Sequence, residues 1–385
     1  MAVVINGTTG IDKVQDGSIG TADIAADAIT TPKIASSVNL GRRNLMINGA
    51  MNVAQRGISF SGTSGGAESQ FTTDRWRHGH KTGTVTITQN SVSDLAGFQN
   101  SVKIQVTGTG TVAAGDQDVF EQKIEGQNLV SAGWGQTGAK DLTLSFYYKS
   151  NSTDNRVAWF YNPERGRDFA VLFAATAADT WERITINIPA DQAFNDSNGA
   201  GLYVRVVLNS GSDFTTGLAS TWSAIGNDRY AGVANFHSST SNYVEFTGVQ
   251  LEIGDTATEF EHRSYGEELS LCERYYIRYT NESSDQEVIC FGVIADGDSV
   301  FGPVHLPVKL RASPTVSSSG STDFQVSTVF GGGGGTQTAS VQLGYAGTRT
   351  PSLHAIGATG GLSTGARLIR FASAGYKYLE FDAEL

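Results

Sequence analysis

The sequence is poor in cysteine and in charged residues. Its two cysteines, Cys272 and Cys290, do not make a disulfide framework, and each is expected to be a small buried apolar group. Only 17% of the 385 residues are charged, and the 27 basic residues form no cluster in a chain of formal net charge −11. We therefore expect no nucleic-acid partner, because binding to the phosphate backbone needs clustered lysines and arginines.

Long apolar runs are also missing. No window of about 18 apolar residues occurs, so we expect no transmembrane helix and no insertion into a membrane. The first ten residues, MAVVINGTTG, lack the positive leader and the apolar core of a secretory signal. We therefore expect the chain to be made in a cytoplasm and to stay soluble.

Glycine, serine and threonine are plentiful instead, with 46 glycines in the chain. From about Thr82 onward apolar and polar residues alternate in short runs such as TVTITQ, DLTLSFYY and LYVRVVL. A period of two is typical of strands with one buried face, and no amphipathic helices intervene to support parallel crossovers. The sequence predicts an all-β fold, with an antiparallel sandwich or barrel of roughly 200 residues from Asn39 to Glu261.

The N-terminal segment follows a different period. Large apolar residues recur at every fifth position, which fits neither a helix nor a strand: Val14, Ile19, Ile24, Ile29 and Ile34. Burying one isoleucine is worth roughly 1.5–3 kcal/mol, whereas ordering about twenty residues costs on the order of 20–40 kcal/mol. A single chain cannot offset that cost, so we expect an oligomer stem or an anchor ordered by other chains; the alternative is a flexible arm.

A short helix is predicted after the central strands. Ser264 and Glu267 have the spacing of a capping box, and the apolar residues that follow have near-helical spacing. Further alternating runs, from VICFGVI to YLEFDAEL, predict a second and smaller β-sandwich. The glycine-rich stretches Gly331–Gly335 and Gly357–Gly365 are predicted loops.

Several segments resemble a family of bacteriophage and prophage tail fibre proteins. They are NLMINGAMNVAQRG, FTTDRWRHG, GVQLEIGDTATEFEHRSYGEELSLCERYY, LPVKLRASPTV and the terminal FDAEL. The repeat DGSIGTADIAADAITTPKI is likewise similar to the N-terminal stem of such fibres. The resemblance covers almost the whole chain and is most specific from Gly248 to Tyr276.

The resemblance implies a virion protein, commonly a homotrimer, with its N-terminus on tail or baseplate proteins and its C-terminal β domains toward a host glycan or outer-membrane receptor. It also implies that the middle domain is similar to carbohydrate-binding jelly rolls. The expected location is the virion tail, after assembly in the host cytoplasm. Four segments are predicted: stem or virion anchor (1–38), jelly-roll β-sandwich (39–263), linking helix (264–280) and C-terminal receptor-binding tip (281–385).

Two other functional classes stay open. A polysaccharide-degrading tail spike needs two carboxylates a few ångströms apart, and the candidate pairs are Glu121 with Glu125 and Asp116 with Asp118. A decoration or adaptor protein of the virion needs no receptor. The sequence has no nucleophile elbow and no His-Glu-x-x-His motif. The five glycines from Gly331 are not a phosphate loop, because no lysine follows them. We therefore expect no enzyme and no cofactor.

The sequence offers two kinds of candidate ligand site. Trp134, flanked by glycines, is hard to bury on a turn and is a candidate glycan contact, because sugars stack on aromatic rings. His78 and His80 share a face of a strand, so three chains could present them to one transition-metal ion on a symmetry axis. The alternative interpretation is a pair of surface histidines beside a turn.

Overall fold

The computed structural model describes residues 42–61, 70–281, 287–296, 299–328, 337–356, 366–372 and 377–385. The chain divides into two units, and the larger runs from Asn44 to Leu385. The five-residue repeat from Val14 to Ile34 lies outside the described residues, so the stem stays a prediction. The all-β prediction is confirmed, with one α-helix in the described part of the chain, and no helix there has the length and hydropathy to cross a bilayer.

Thirteen described strands form a β-sandwich. They are β1 (Ser59–Ser61), β2 (Gln70–Phe71), β3 (Arg77–Gly79), β4 (Thr84–Ser91), β5 (Asn100–Gly108), β6 (Gln117–Glu125), β7 (Leu142–Ser150), β8 (Arg156–Asn162), β9 (Arg167–Phe173), β10 (Glu182–Ile188), β11 (Ala200–Ser210), β12 (Ser223–Ala224) and β13 (Tyr243–Ile253). One sheet has the order β1-β4-β5-β13-β7-β10 and the other β12-β9-β8-β11-β6-β3-β2. The pairs are antiparallel, as predicted from the lack of helices for parallel crossovers.

The core of the sandwich is aromatic. Phe120 of β6 stacks on Trp76 with ring centroids 4.8 Å apart and on Phe246 of β13 at 5.4 Å, so the rings join the two sheets. Phe146 of β7 packs on Phe246 at 6.1 Å. These side chains are fully or almost fully buried, and each large apolar residue removed from water stabilises the fold by roughly 1.5–3 kcal/mol.

The helix and the remaining strands follow the sandwich. They are α1 (Tyr265–Glu273), β14 (Tyr276–Asn281), β15 (Val288–Asp296), β16 (Ser299–Pro303), β17 (Thr315–Ser318), β18 (Phe324–Thr328), β19 (Gln337–Tyr345), β20 (Ser352–Ile356), β21 (Ala366–Phe371) and β22 (Lys377–Asp382). The capping box is confirmed, since Ser264 Oγ accepts from Glu267 N–H and Ser264 N–H donates to Glu267 Oε2 at 3.0 Å.

The C-terminal strands differ from the predicted second sandwich. Six of them close into a barrel of order β15-β16-β20-β19-β18-β21, and β14, β22 and β17 form a separate sheet. The barrel closes because β21 pairs with both β15 and β18. Alternation along each strand is the same in a sandwich and a barrel, and only this pairing distinguishes them.

Both cysteines are buried, as predicted. Cys272 on α1 packs with Ile47, Val53 and Tyr275 in a small apolar cluster beside the sandwich. Cys290 on β15 lies in the core of the barrel, and burial raises the pKa of its thiol to about 12. Such thiols are uncharged at neutral pH and therefore unreactive.

A buried polar junction joins the sandwich to the C-terminal strands. Arg75, which has a positive φ of 73°, forms an ion pair with Glu384 and lies 3.4 Å above the ring of Tyr275. Arg56 bonds to Glu384 and, at 3.0 Å, to Asp382. Two of the segments that carry the tail fibre resemblance, residues 44–57 and 71–79, therefore supply junction residues.

The junction makes the first testable prediction. Glu384→Gln removes the carboxylate that neutralises two buried guanidinium groups, so we expect the free energy of unfolding to fall by about 3 kcal/mol in urea denaturation. Lys140→Ala, at an exposed site, is the matched control and should change it by no more than about 0.5 kcal/mol. Equal stability of the Glu384 variant and the wild type would show that the ion pairs contribute nothing.

Candidate functional site

The outer face of the sheet that contains β6 carries the candidate site. In β6, Phe120 and Ile124 face the interior of the sandwich, so Val119, Glu121 and Lys123 face the other way. The same alternation in β8 and β11 places aromatic and charged residues on this outer face. We name the set the two-row face, because the strand register arranges it in two lines across the sheet: Arg77, Glu121, Arg205 and Trp159 in the first row, and Lys123, Tyr203, Tyr161 and Asp168 in the second.

The first row is a line of compensated charges beside an indole. The guanidinium of Arg205 lies 2.6 Å from Glu121, and that of Arg77 lies 3.3 Å from the same carboxylate. Arg205 also lies 4.7 Å above the ring of Trp159. Burial works against the charge of Arg205, but the neighbouring Glu121 raises its pKa above the ordinary value. The guanidinium groups of Arg77 and Arg205 are therefore hydrogen-bond donors that Glu121 holds in place.

The second row is an aromatic platform. Tyr161 stacks on Trp159 of the first row with centroids 5.3 Å apart, and Tyr203 meets Tyr161 edge to face at 5.4 Å. Lys123 lies 4.8 Å from the ring of Tyr203. Both tyrosines are half-buried, so each ring is held in place while part of it remains accessible.

Asp168 supports the platform from β9. Its carboxylate accepts a hydrogen bond from the indole N–H of Trp159 at 3.0 Å, and Arg229 lies 3.9 Å away. Burial raises the pKa of Asp168 above its usual range. The hydrogen bond fixes the orientation of the indole and, through the stack, that of Tyr161.

Both ends of the two-row face are bounded. At one end Phe214 and Tyr230 pack on the outer side of the sheet. At the other, Lys123 donates to the main-chain oxygen of Leu385 at 3.0 Å. A cavity of about 10 Å³ beside Leu385 has room for a single water, and its lining includes Arg77, Glu121 and Lys123.

Trp134 is not available as a glycan contact, contrary to the sequence prediction. The side chain is only 4% exposed, and its indole N–H donates to the carbonyl of Lys140 at 2.8 Å. The ring stacks on Phe194 with centroids 4.3 Å apart and meets Trp222 edge to face at 5.4 Å. The flanking glycines make a turn that folds the indole inward, so Trp134 belongs to the core.

His78 and His80 are buried and not on the surface. His78 faces the interior because it lies opposite Phe120 in the pairing of β3 with β6. The carboxylate of Asp118 accepts hydrogen bonds from Nε2 of His78 at 2.7 Å and from Nε2 of His237 at 2.5 Å. The interpretation as a pair of surface histidines is therefore wrong, since His78 and His80 are 2% and 8% exposed. A metal site shared by three chains stays a prediction.

The acidic pairs considered for hydrolysis are committed to other partners. Glu125 binds Arg274 at 2.8 Å and accepts from the hydroxyl of Tyr275 at 2.6 Å, while Glu121 is held by Arg77 and Arg205. Asp118 accepts hydrogen bonds from His78 and His237. Asp116 accepts from Thr82 at 2.7 Å. Neither pair forms two accessible carboxylates facing one another.

The two-row face was missed by sequence reasoning, although the signal was present. In VAWFYN and LYVRVVL, the residues between the core positions are aromatic or charged: Trp159, Tyr161, Tyr203 and Arg205. Alternation assigns these four side chains to the side of their strands that faces away from the sandwich core. Alternation does not predict that β8 and β11 are neighbours in the sheet, and this pairing brings the four side chains together.

Comparison with known proteins gives only distant structural likeness. No protein-family model and no curated protein matches the chain. A protein from Bacteroides thetaiotaomicron VPI-5482, proposed to bind sugar, has a TM-score of 0.32 and 14% identity over 55% of this chain and 100% of its own. The module TmCBM61, in complex with β-1,4-galactotriose, has a TM-score of 0.28 and 10% identity over 55% and 99%.

A phage protein is also among the structural neighbours. The enzymatically active domain of tailspike protein 4 from bacteriophage CBA120 has a TM-score of 0.28 and 11% identity, over 46% of this chain. This chain spans only 19% of that tailspike chain. All three TM-scores are too low for an inference about function, which therefore depends on the site itself.

The three neighbouring histidines, His78, His80 and His237, give a prediction on how the stability of the fold depends on pH. Burial, together with the nearby His78 and His237, lowers the pKa of His80 from 6.5 to about 4, and Asp118 only partly opposes this. Between these two values the unfolded chain binds a proton that the folded chain does not. Stability should therefore fall as the pH is lowered from 6.5 to about 4.

Urea denaturation at pH 7 and pH 4.5 measures this effect. We expect His80→Phe to lose less stability than the wild type over this interval, because the residue that takes up the extra proton on unfolding is gone. The control is His305→Phe, at an exposed histidine, which should keep the wild-type pH dependence. An unchanged pH dependence in the His80 variant would contradict the assignment.

Proposed function

We propose that the protein is a non-enzymatic, glycan-binding structural protein of a bacteriophage tail. The single observation that carries the binding function is the two-row face, where the half-buried rings of Tyr161 and Tyr203 lie beside Lys123 and next to the pair of Trp159 and Arg205. A pyranose stacks its apolar face on an aromatic ring, while charged and polar side chains bind its hydroxyl groups. The platform is preformed, since Asp168 orients Trp159 and the indole stacks on Tyr161.

The spacing of the acidic residues favours binding over hydrolysis. Glu121 lies on β6 and Asp168 on β9, with β11 and β8 between them. Three strand intervals separate two side chains by about 14 Å. Glycoside hydrolysis needs carboxyl groups roughly 5–9.5 Å apart. This supports a binding protein over the alternative, a polysaccharide-degrading tail spike.

The proposed place in the virion is supported by the sequence resemblance and by one exposed surface. On β15 of the barrel, Val288, Phe291 and Val293 are 47%, 61% and 64% exposed. Large apolar residues in contact with water on one strand are suited to association with other chains. We propose a homotrimer that is assembled in the host cytoplasm and attached to tail or baseplate proteins by residues 1–38.

The binding of a host receptor by the C-terminal tip is a separate proposal. The loops Gly331–Gly335 and Gly357–Gly365 lie outside the described residues, so their part in recognition stays a prediction. The two-row face, in contrast, lies in the sandwich and is defined by contacts. We therefore assign glycan binding to the sandwich first.

The test of the binding function uses the full chain on an array of bacterial surface glycans. The double variant Tyr161→Ala with Tyr203→Ala should bind at least about tenfold more weakly, because each lost ring removes one stacking contact. Tyr345→Ala is the matched control, since Tyr345 is an exposed tyrosine at the end of β19. The bound glycan should release no reducing sugar on incubation.

The possible results separate the alternatives. Release of reducing sugar would establish a tail spike enzyme. No binding to any glycan, together with no effect of the purified protein on phage adsorption, would favour a decoration or adaptor protein. A third result would assign recognition to the C-terminal tip. The double variant would still bind, and exchanging residues 287–385 for those of a related fibre would change which glycan is bound.

The stem gives a further prediction. Ile24→Asp together with Ile29→Asp places like charges where the copies of the repeat are expected to meet, so the trimer should weaken. Native mass spectrometry should show the loss of trimer, and circular dichroism should show an unchanged β signal, because the sandwich has its own core. A wild-type chain that is monomeric both in isolation and on the particle would refute the stem.

A further inference from the structure

A cleft lies beside the other sheet of the sandwich, away from the two-row face. Its volume is about 410 Å³, which is within the range of small-molecule sites. The lining comes from the segment between β4 and β5, from the segment before β1 and from the chain that leads into α1. Apart from Arg263, its polar and aromatic members are Asn52, Phe98, Gln99, Asn100, His262 and Tyr265.

The wall of the cleft is a fixed aromatic cluster. Phe98 packs against Tyr147, Phe260 and His262, with ring centroids 5.1, 5.2 and 5.3 Å apart. Gly248 of β13, which has a φ of 60°, makes room for this ring, because a Cβ there would lie 2.7 Å from Phe98. The ring is therefore seated by the backbone of the sheet and does not depend on a ligand.

Two of the rings at the cleft are open to solvent. Tyr265 is the first residue of α1 and is 59% exposed, and the capping box of Ser264 fixes the turn that carries it. His262 is also exposed, and its Nε2 would lie 3.7 Å from a Cβ at Gly97 on the facing loop. An exposed ring beside a preformed cleft offers a stacking surface to a ligand.

Amide groups supply the polar lining. Asn100 donates to Asn52 Oδ1 at 2.9 Å. Among the described residues, the amide N–H groups of Asn52 and the amide oxygen of Asn100 have no other partner. In the part of the chain that the structure describes, the side chain of Gln99 has no protein partner. Amides both donate and accept, as adjacent sugar hydroxyl groups do.

The charge of the cleft is balanced. Arg263, on its border, donates to the carbonyls of Asn44 and Met46 and lies 3.3 Å from Glu268 and 3.4 Å from Glu261. The two terminal nitrogens of its guanidinium are therefore committed to the protein. A neutral ligand suits this lining better than an anionic one.

We propose that this cleft is a second carbohydrate site, which binds a neutral hexopyranose by stacking on Tyr265 and by hydrogen bonds to Asn52, Gln99 and Asn100. The site is independent of the two-row face, with which it shares no residue. One sandwich would then contact a surface glycan at two separate places.

Three simple sugars test the proposal: methyl α-D-glucopyranoside, methyl α-D-mannopyranoside and methyl β-D-galactopyranoside. Saturation-transfer difference NMR on the full chain should detect binding of at least one of them at about 10 mM. Tyr265→Ala should weaken that binding about five- to tenfold, and His262→Ala should weaken it too. Tyr345→Ala, at an exposed tyrosine outside the cleft, should leave it unchanged.

The double variant Tyr161→Ala with Tyr203→Ala distinguishes the two sites. It should retain hexoside binding, and Tyr265→Ala should retain binding to the glycan array through the two-row face. If none of the three sugars binds, or if neither cleft variant weakens the binding, the cleft proposal is overturned. If the double variant alone abolishes hexoside binding, the cleft proposal fails while the two-row face stands.

Discussion

The neutralisation of buried arginines at the junction is the constraint on which the rest of the architecture depends. Arg75 is almost fully buried, and a buried guanidinium is tolerated only with a partner and satisfied hydrogen bonds. Its partner, Glu384, lies 309 residues further along the chain. The sandwich and the C-terminal strands are therefore held together by charge compensation as well as by apolar contact.

The same arginine reaches the candidate site. Arg75 donates to the main-chain oxygen of Lys123 at 2.7 Å, and Lys123 lies on β6 two residues from Glu121. Tyr275, beneath Arg75, bonds to Glu125 at the end of the same strand. The C-terminal strands thus fix the strand that presents one side of the two-row face.

Local features of this fold could be predicted from the sequence because they depend on neighbouring residues. The alternation in β4, β5 and β7 follows from strand geometry, and the capping box depends on Ser264 and Glu267 alone. Burial of Cys272 and Cys290 follows from the character of the side chain.

Features that depend on distant pairing could not be predicted. Trp134 looked exposed because its flanking residues are glycines, yet Phe194 and Trp222 cover it. His78 faces the interior because β3 pairs with β6, and the ring of His80 lies beside it. His237 joins them from 157 residues beyond His80. The face of a short polar strand is decided by its partners, and the sequence of the strand alone does not contain them.

The position of β22 also gives the molecule an order of assembly. This strand follows all the other described strands in the chain, yet it is the middle strand of the sheet β14-β22-β17. During synthesis the sandwich is complete in sequence once β13 has emerged, whereas the junction must wait for residues 377–385. A chain that stops short of these residues would leave Arg56 and Arg75 without their acidic partners, so the sandwich can be complete while the junction is still open.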